Sequence, residues 1–236
     1  LLQGENGLQL IEKHALKTSK FIPHDIVGAF DILMDKQVSI EDLKFVSNKL
    51  FNILYQTILE YPALTPAQGS ILDIYTQDNA VALANLKDMR EHIKAINKQV
   101  EAVHIRALSE KLIAFEKFFL HYTVIENVVF PVLEAKWKHH QCVKLMWSFH
   151  DDIKRNVKRL VELLSAVEID LKEFNSVCGL VFFNVNTIIL REEKIIFPML
   201  LETLTNEEFA DMLQQTIGIG LPYAELKQAG LNNKEN

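Results

Sequence analysis

A chain of 236 residues, 49% of them hydrophobic, is long enough for one large core or for a helical bundle with a smaller appendage. The formal net charge is −6 and the 25 Lys and Arg are dispersed, which argues against a phosphate-binding footprint and so against nucleic acid as a partner. The two cysteines, Cys142 and Cys178, make neither a disulfide framework nor a Cys-x-x-Cys, and no run of about 18 uninterrupted apolar residues or basic-then-apolar leader appears. The expectation is a cytoplasmic protein with no membrane partner.

Only eight glycines and six prolines punctuate the chain, too few for a β-protein of this size, so an all-α fold is expected. Residues 1–20 are mixed in character and read as loose. Ile22-Pro23-His24-Asp25 opens a helix to about Met34. Ser39, with Asp42 three residues on, is an N-cap candidate for a helix carrying Leu43, Val46, Leu50, Leu54 and Ile58 and ending before Tyr61-Pro62. Pro62 to Gly69 reads as a linker. Four long helical patterns follow, from about Ser70 to Gln99, His104 to Trp137, Gln141 to Val167 and Leu171 to Leu204. Thr205-Asn206-Glu207-Glu208 caps a short last helix that stops near Gly218 and Gly220, and Asn232–Asn236 reads as a disordered tail. Short connections make neighbouring helices antiparallel. The organisation expected is an N-terminal helical region (1–65), an up-and-down four-helix bundle (66–220) and a tail (221–236).

Each long helix interrupts its apolar stripe with one strongly polar residue. On the second, Leu108, Leu112, Phe115, Phe119 and Tyr122 lead to Glu126, followed by Val129 and Leu133. The third runs Val143, Met146, His150, Ile153, Val157 and Leu160. The fourth runs Phe174, Cys178, Val181, Val185, Ile188, Glu192, Ile195 and Met199. The first runs Leu72, Tyr75, Asn79, Ala82, Leu86 and Met89, with Asp78 beside Asn79. At ~1.5 Å per residue, Glu126 lies about twelve residues before its loop and His150 about ten after it, and similar counting brings Glu192 and Asp78 to the same level. Buried carboxylates without compensation cost several kcal/mol each, which a cation would offset. Imidazole with carboxylate suits iron, manganese or zinc. His121 lies on a neighbouring row of the second helix, and Glu193 on a comparable row of the fourth. A near-repeat, Glu126-Asn-Val-Val-Phe130-Pro131 against Glu193-Lys-Ile-Ile-Phe197-Pro198, suggests a shared device with a helix kink at each proline. The repeat favours Glu193 as the inward carboxylate and the stripe favours Glu192. His92 lies too far along its helix to join the layer, His139-His140 reads as a solvated loop, and Asp151 and Asp152 read as surface charge.

Three motifs in order, His121-Tyr122-(three residues)-Glu126-Asn127-(two residues)-Phe130-Pro131, Met146-Trp147-(two residues)-His150-Asp151-Asp152-Ile153 and Arg191-Glu192-Glu193-(three residues)-Phe197-Pro198-Met199, resemble the hemerythrin-like (HHE cation-binding) family. The likeness covers roughly residues 66–205 and is nearest the branch in which a small helical region precedes the bundle. It implies a four-helix bundle binding non-haem iron, mono- or dinuclear, with roles in binding oxygen or nitric oxide, sensing iron or repairing iron–sulfur centres. The ligand candidates are then His121, Glu126, His150, Glu192, Glu193 and Asp78. Two departures stand out: the first bundle helix has Ser70, Asp73, Asp78 and Asn79 where the family has a histidine, and Ile188 stands four residues before Glu192 where a second His-x-x-x-Glu is expected.

Three functions compete. The first is a metal-binding module that holds or senses iron, oxygen or nitric oxide, with manganese or zinc as substitutes and a signalling or protein partner. The second is a degenerate bundle acting structurally or in protein interaction without metal, which predicts Arg or Lys among the carboxylates. A di-iron enzyme ranks last because the paired Glu-x-x-His motifs of such sites are absent, so a binding module rather than an enzyme is expected.

Overall fold

A computed structural model describes residues 22–62 and 64–223, together with residues 9 and 13. The expectations for the rest of residues 1–20 and for the tail fall outside the described residues. All regular structure among the described residues is helical: α1 Pro23–Asp35, α2 Ile40–Glu60, α3 Ile71–Lys98, α4 Ala102–Phe115, α5 Phe119–Val124, α6 Phe130–Lys136, α7 Cys142–Leu164, α8 Leu171–Arg191, α9 Phe197–Thr203 and α10 Asn206–Ile219. The all-α fold is that of a hemerythrin-like helical bundle.

The helix ends are where the cap residues place them. Asp25 accepts a hydrogen bond from the Ile22 N–H (3.0 Å) at the start of α1. Ser39 caps α2 by accepting from the Asp42 N–H, and Ser70 caps α3 by accepting from the Asp73 N–H. Thr205 and Glu208 complete a reciprocal capping box on α10. That helix ends at Gly220, whose φ of 93° is a left-handed conformation suited to glycine.

Two helical runs are not uniform α-helix. From α4 the chain tightens into a 3₁₀ turn at Glu116–Phe118, continues as α5, widens into a π turn at Ile125–Val129 and resumes as α6. From α8 it passes through a second π turn, Glu192–Ile196, into α9. The two π turns fall on the two copies of the near-repeat, each next to its Phe-Pro. A proline has no N–H to give the carbonyl four residues back, and a π turn accommodates the lost bond by re-registering the ladder. These continuous runs, Ala102–Lys136 and Leu171–Thr203, are long and apolar enough to cross a membrane, but half or more of the apolar window is buried within the protein (56% and 50%), as in core helices.

The chain divides into two compact units. One comprises Leu1–Thr65, Phe130–Asp151 and Asn186–Leu204; the other comprises Pro66–Val129, Asp152–Val185 and Thr205–Asn236. In the first, α1 packs against α2 and against the π turn at 192–196. Its buried residues include Ile26, Val27, Phe30, Leu43, Phe51 and Leu54. Asp31 of α1, itself buried, accepts from the Gln141 N–H (2.8 Å) and meets His139 Nδ1 at 3.1 Å. His139 is therefore held by a buried carboxylate rather than merely solvated. In the second unit α3 and α4 pair along their length, and α10 packs on both α3 and the π turn at 125–129. Tyr75, Leu86, Met89, Leu108 and Leu112 are buried there, each worth about 1.5–3 kcal/mol in transfer free energy for the larger side chains.

Candidate metal centre

In the second unit the 3.6-residue period of α3 turns both Asp78 and Asn79 inward, and both are fully buried. Asp78 Oδ1 accepts from the Tyr223 backbone N–H (3.2 Å), and Asp78 Oδ2 lies 3.9 Å from Nδ1 of the equally buried His121. The His121 ring is stacked on Phe118 (centroids 5.0 Å, planes 12° apart) and meets Tyr75 edge-on at 5.9 Å. Three contacts thus fix one imidazole orientation. The Tyr75 phenol, which shares a 2.5 Å hydrogen bond with Thr216, is pushed well above its ordinary pKa, first by burial and also by the charge of Asp78. The Tyr223 phenol is raised for the same two reasons, burial being the larger.

The 3₁₀ turn places Phe118 rather than Phe119 in the core: Phe118 is buried and Phe119 half-buried, a one-residue phase shift against the expected stripe. The π turn then buries the consecutive residues Ile125 and Glu126. Glu126, 7% exposed, holds an ion pair with Lys154 of α7, whose Nζ lies 3.2 Å from Oε1 and 3.5 Å from Oε2. The charge on Glu126 is therefore met by an ammonium, the arrangement expected of the structural alternative.

In the first unit His150 is fully buried on α7, with the Phe130 ring stacked on it at 5.9 Å and 10°. Glu192 is fully buried in its π turn, whereas Glu193 is half-buried. Ile188, at the position where a further histidine is expected, is fully buried. Arg191 is a buried cation that the stripe arithmetic did not single out; its signal is a basic residue on the apolar helix immediately before Glu192. Lys154 was likewise not singled out, the basic residues being read only as dispersed along the chain. Cys142 and Cys178 are buried free thiols, both pushed up to about 12, by burial alone for Cys178 and by burial followed by the charge of Asp31 for Cys142. They are unsuited to nucleophilic chemistry.

The candidates thus form a donor set of Asp78, His121 and Glu126 in one unit and another of His150, Glu192 and half-buried Glu193 in the other. Among the described residues no three His, Cys, Asp or Glu side chains are drawn together tightly enough to hold a metal ion. The donors nevertheless fit a cation in kind: imidazole nitrogen and carboxylate oxygen, in apolar surroundings, are borderline-to-hard ligands for iron, manganese or zinc.

Buried imidazoles and carboxylates on helical core stripes, as the described residues carry them, are the donor types that metal-binding helical bundles use. The hemerythrin HHE cation binding domain family matches residues 71–200, more than half of the chain, and the chain belongs to that family. No curated protein matches it. Membership implies a cation-binding module.

Proposed function

We propose that the chain is a cytoplasmic, non-haem iron-binding module on the up-and-down four-helix plan of its family, and that it holds or senses iron or a small gas such as oxygen or nitric oxide. The observation that supports this best is the buried Asp78–His121 pair, a carboxylate oxygen 3.9 Å from an imidazole nitrogen in a cation-binding family. Asp78, His121 and Glu126 of the second unit, and His150 and Glu192 of the first, are the ligands of this reading, with Glu193 as the more exposed carboxylate. Bound iron would supply Lewis acidity and a redox-active centre. The protein's own part is to present imidazoles in fixed orientation, as the Phe118 and Phe130 stacks do.

Protein purified without chelator should carry about one or two metal equivalents per chain, as metal analysis would show, and its melting temperature should rise with Fe(II), Mn(II) or Zn(II). Protein that is metal-free as isolated and melts identically with and without all three ions overturns the proposal. A second reading, a structural bundle without metal, draws on the Lys154–Glu126 pair. It predicts that Glu126→Gln lowers stability while leaving no metal response to lose.

A further inference from the structure

Arg191 lies in the first unit and is 4% exposed. Its guanidinium carbon sits 4.3 Å over the Phe51 ring and 4.5 Å over the Phe149 ring, so the charged plane is held between two aromatic faces. One nitrogen, Nη2, donates to Ser47 Oγ (2.9 Å) and Asn48 Oδ1 (3.0 Å). The other two, Nε and Nη1, are buried with no hydrogen-bond partner among the described residues. No described carboxylate forms an ion pair with the group, and a guanidinium is a permanent cation. A buried charge without a counter-charge costs several kcal/mol, and two aromatic faces and two neutral oxygens offset only part of that.

Beside this cation is a cavity of about 30 Å³. It is lined by Arg191 itself and by Ile26, Val27, Phe30, Phe51 and Met146 among others, so α1 and α2 form part of its wall over the helix that carries Arg191. That is room for a few water-sized probes at most, which is too small for carboxylate metabolites and phosphate esters and admits a small ion. The lining is almost wholly apolar, so an entering ion gives up its hydration shell and recovers little beyond what the guanidinium offers. This selects against strongly hydrated anions such as fluoride and sulfate. One positive charge calls for one negative charge.

We infer that the cavity beside Arg191 is a binding site for a single weakly hydrated monoanion of halide size, held by the free Nε–H and Nη1–H groups and clamped by α1 and α2. The anion neutralises the one buried cation of the unit for which the described residues provide no counter-ion, and so ties closure of the N-terminal helices to anion occupancy. The inference does not depend on metal binding, since it concerns a different charge and a cation rather than carboxylates.

The test uses the full chain freed of metal with EDTA, with sodium bromide replacing sodium gluconate at constant ionic strength. The melting temperature should rise logarithmically once bromide exceeds the dissociation constant, by about 3 °C at ten times that constant. Fluoride or sulfate should not reproduce the rise, and Arg191→Met should abolish it. An equal rise in Arg191→Met, or an equal rise with sulfate, overturns the proposal. Should Arg191→Met fail to fold, crystals of the unaltered protein grown in bromide decide: an anomalous peak within hydrogen-bonding distance of Arg191 Nε or Nη1 supports the site, and its absence overturns it.

Discussion

Lys154→Met separates the metal-binding reading from the purely structural one. In the native chain the Lys154 ammonium is 3.2 Å from Glu126 Oε1, with side-chain exposures of 27% and 6%. At an effective dielectric constant of ~20, two unit charges at that distance attract by roughly 5 kcal/mol before desolvation is subtracted. Removing one partner of a buried pair costs about 3–5 kcal/mol, and the partial exposure of Lys154 brings the expected loss to about 2–3 kcal/mol. For a chain of this length that is a fall of about 5–10 °C in melting temperature. If Glu126 is a ligand, a divalent cation can take the place of the ammonium. Thermal melts with Zn(II) or Mn(II) should then restore Lys154→Met, and isothermal titration should show roughly tenfold tighter binding than in the unaltered protein, about 1.4 kcal/mol. Adding Glu126→Gln should remove both the instability and the rescue, which the double-mutant cycle reads directly. Two results refute the reasoning: a single variant that melts within about 1 °C of the unaltered protein, or equal metal responses in the single and double variants.

The remaining predictions concern stability and the π turns. Both thiols are raised from 9.0 to about 12. The unfolded chain therefore releases protons between pH 9 and 12 that the native chain keeps, and stability is full below pH 9 and falls above it by about 1.4 kcal/mol per pH unit per thiol. Chemical denaturation from pH 8 to 10.5 should show that slope, and Cys142→Ala with Cys178→Ala should flatten it. Thr205→Ala removes the cap and half of the capping box on α10, and should lower the melting temperature by about 2–4 °C, corresponding to about 1 kcal/mol. Pro131→Ala returns an N–H to the helix beyond the first π turn; hydrogen exchange should find that new amide protected, and an unprotected amide would show that the proline is not what maintains the turn.

The core stripes were legible because a helix nearly keeps its period: every stripe residue of the third and fourth long patterns, from Val143 to Leu160 and from Phe174 to Met199, is buried. The caps were legible for an equally local reason, since Ser39, Ser70 and Thr205 are hydroxyls three residues ahead of an acidic side chain. Phe119 was misplaced because a three-residue 3₁₀ turn leaves no compositional mark yet advances the phase by most of a residue, bringing Phe118 inward. Lys154 and Arg191 were not visible as core cations. A long basic side chain on a helix reads as solvated unless its partner on another element is known, and Glu126, Ser47, Asn48, Phe51 and Phe149 lie on other elements.

The conflict between Glu192 and Glu193 has a physical origin in the π turn. Counting along an ideal helix selects Glu192, and aligning the near-repeat selects Glu193 because it corresponds to Glu126. Both turns start one residue earlier than the repeat, at Ile125 and at Glu192. A π turn carries more than four residues per revolution, so two consecutive positions share the inward face instead of one. In the first turn those positions are Ile125 and Glu126, both buried; in the second they are Glu192, fully buried, and Glu193, half-buried. The carboxylate has thus moved from the second inward position to the first, while the Phe-Pro that terminates each turn has kept its place. A carboxylate at the first position of the second turn follows Arg191 directly, whereas the first turn has the apolar Val124 there. The two copies therefore share a backbone device but not a charge environment: Glu126 is set against a flexible ammonium that a metal can displace, whereas Glu192 only follows in sequence an Arg191 whose guanidinium is fixed between two rings. On that difference Glu126 is the carboxylate freer to change partners, and the first π turn is where metal binding should register first.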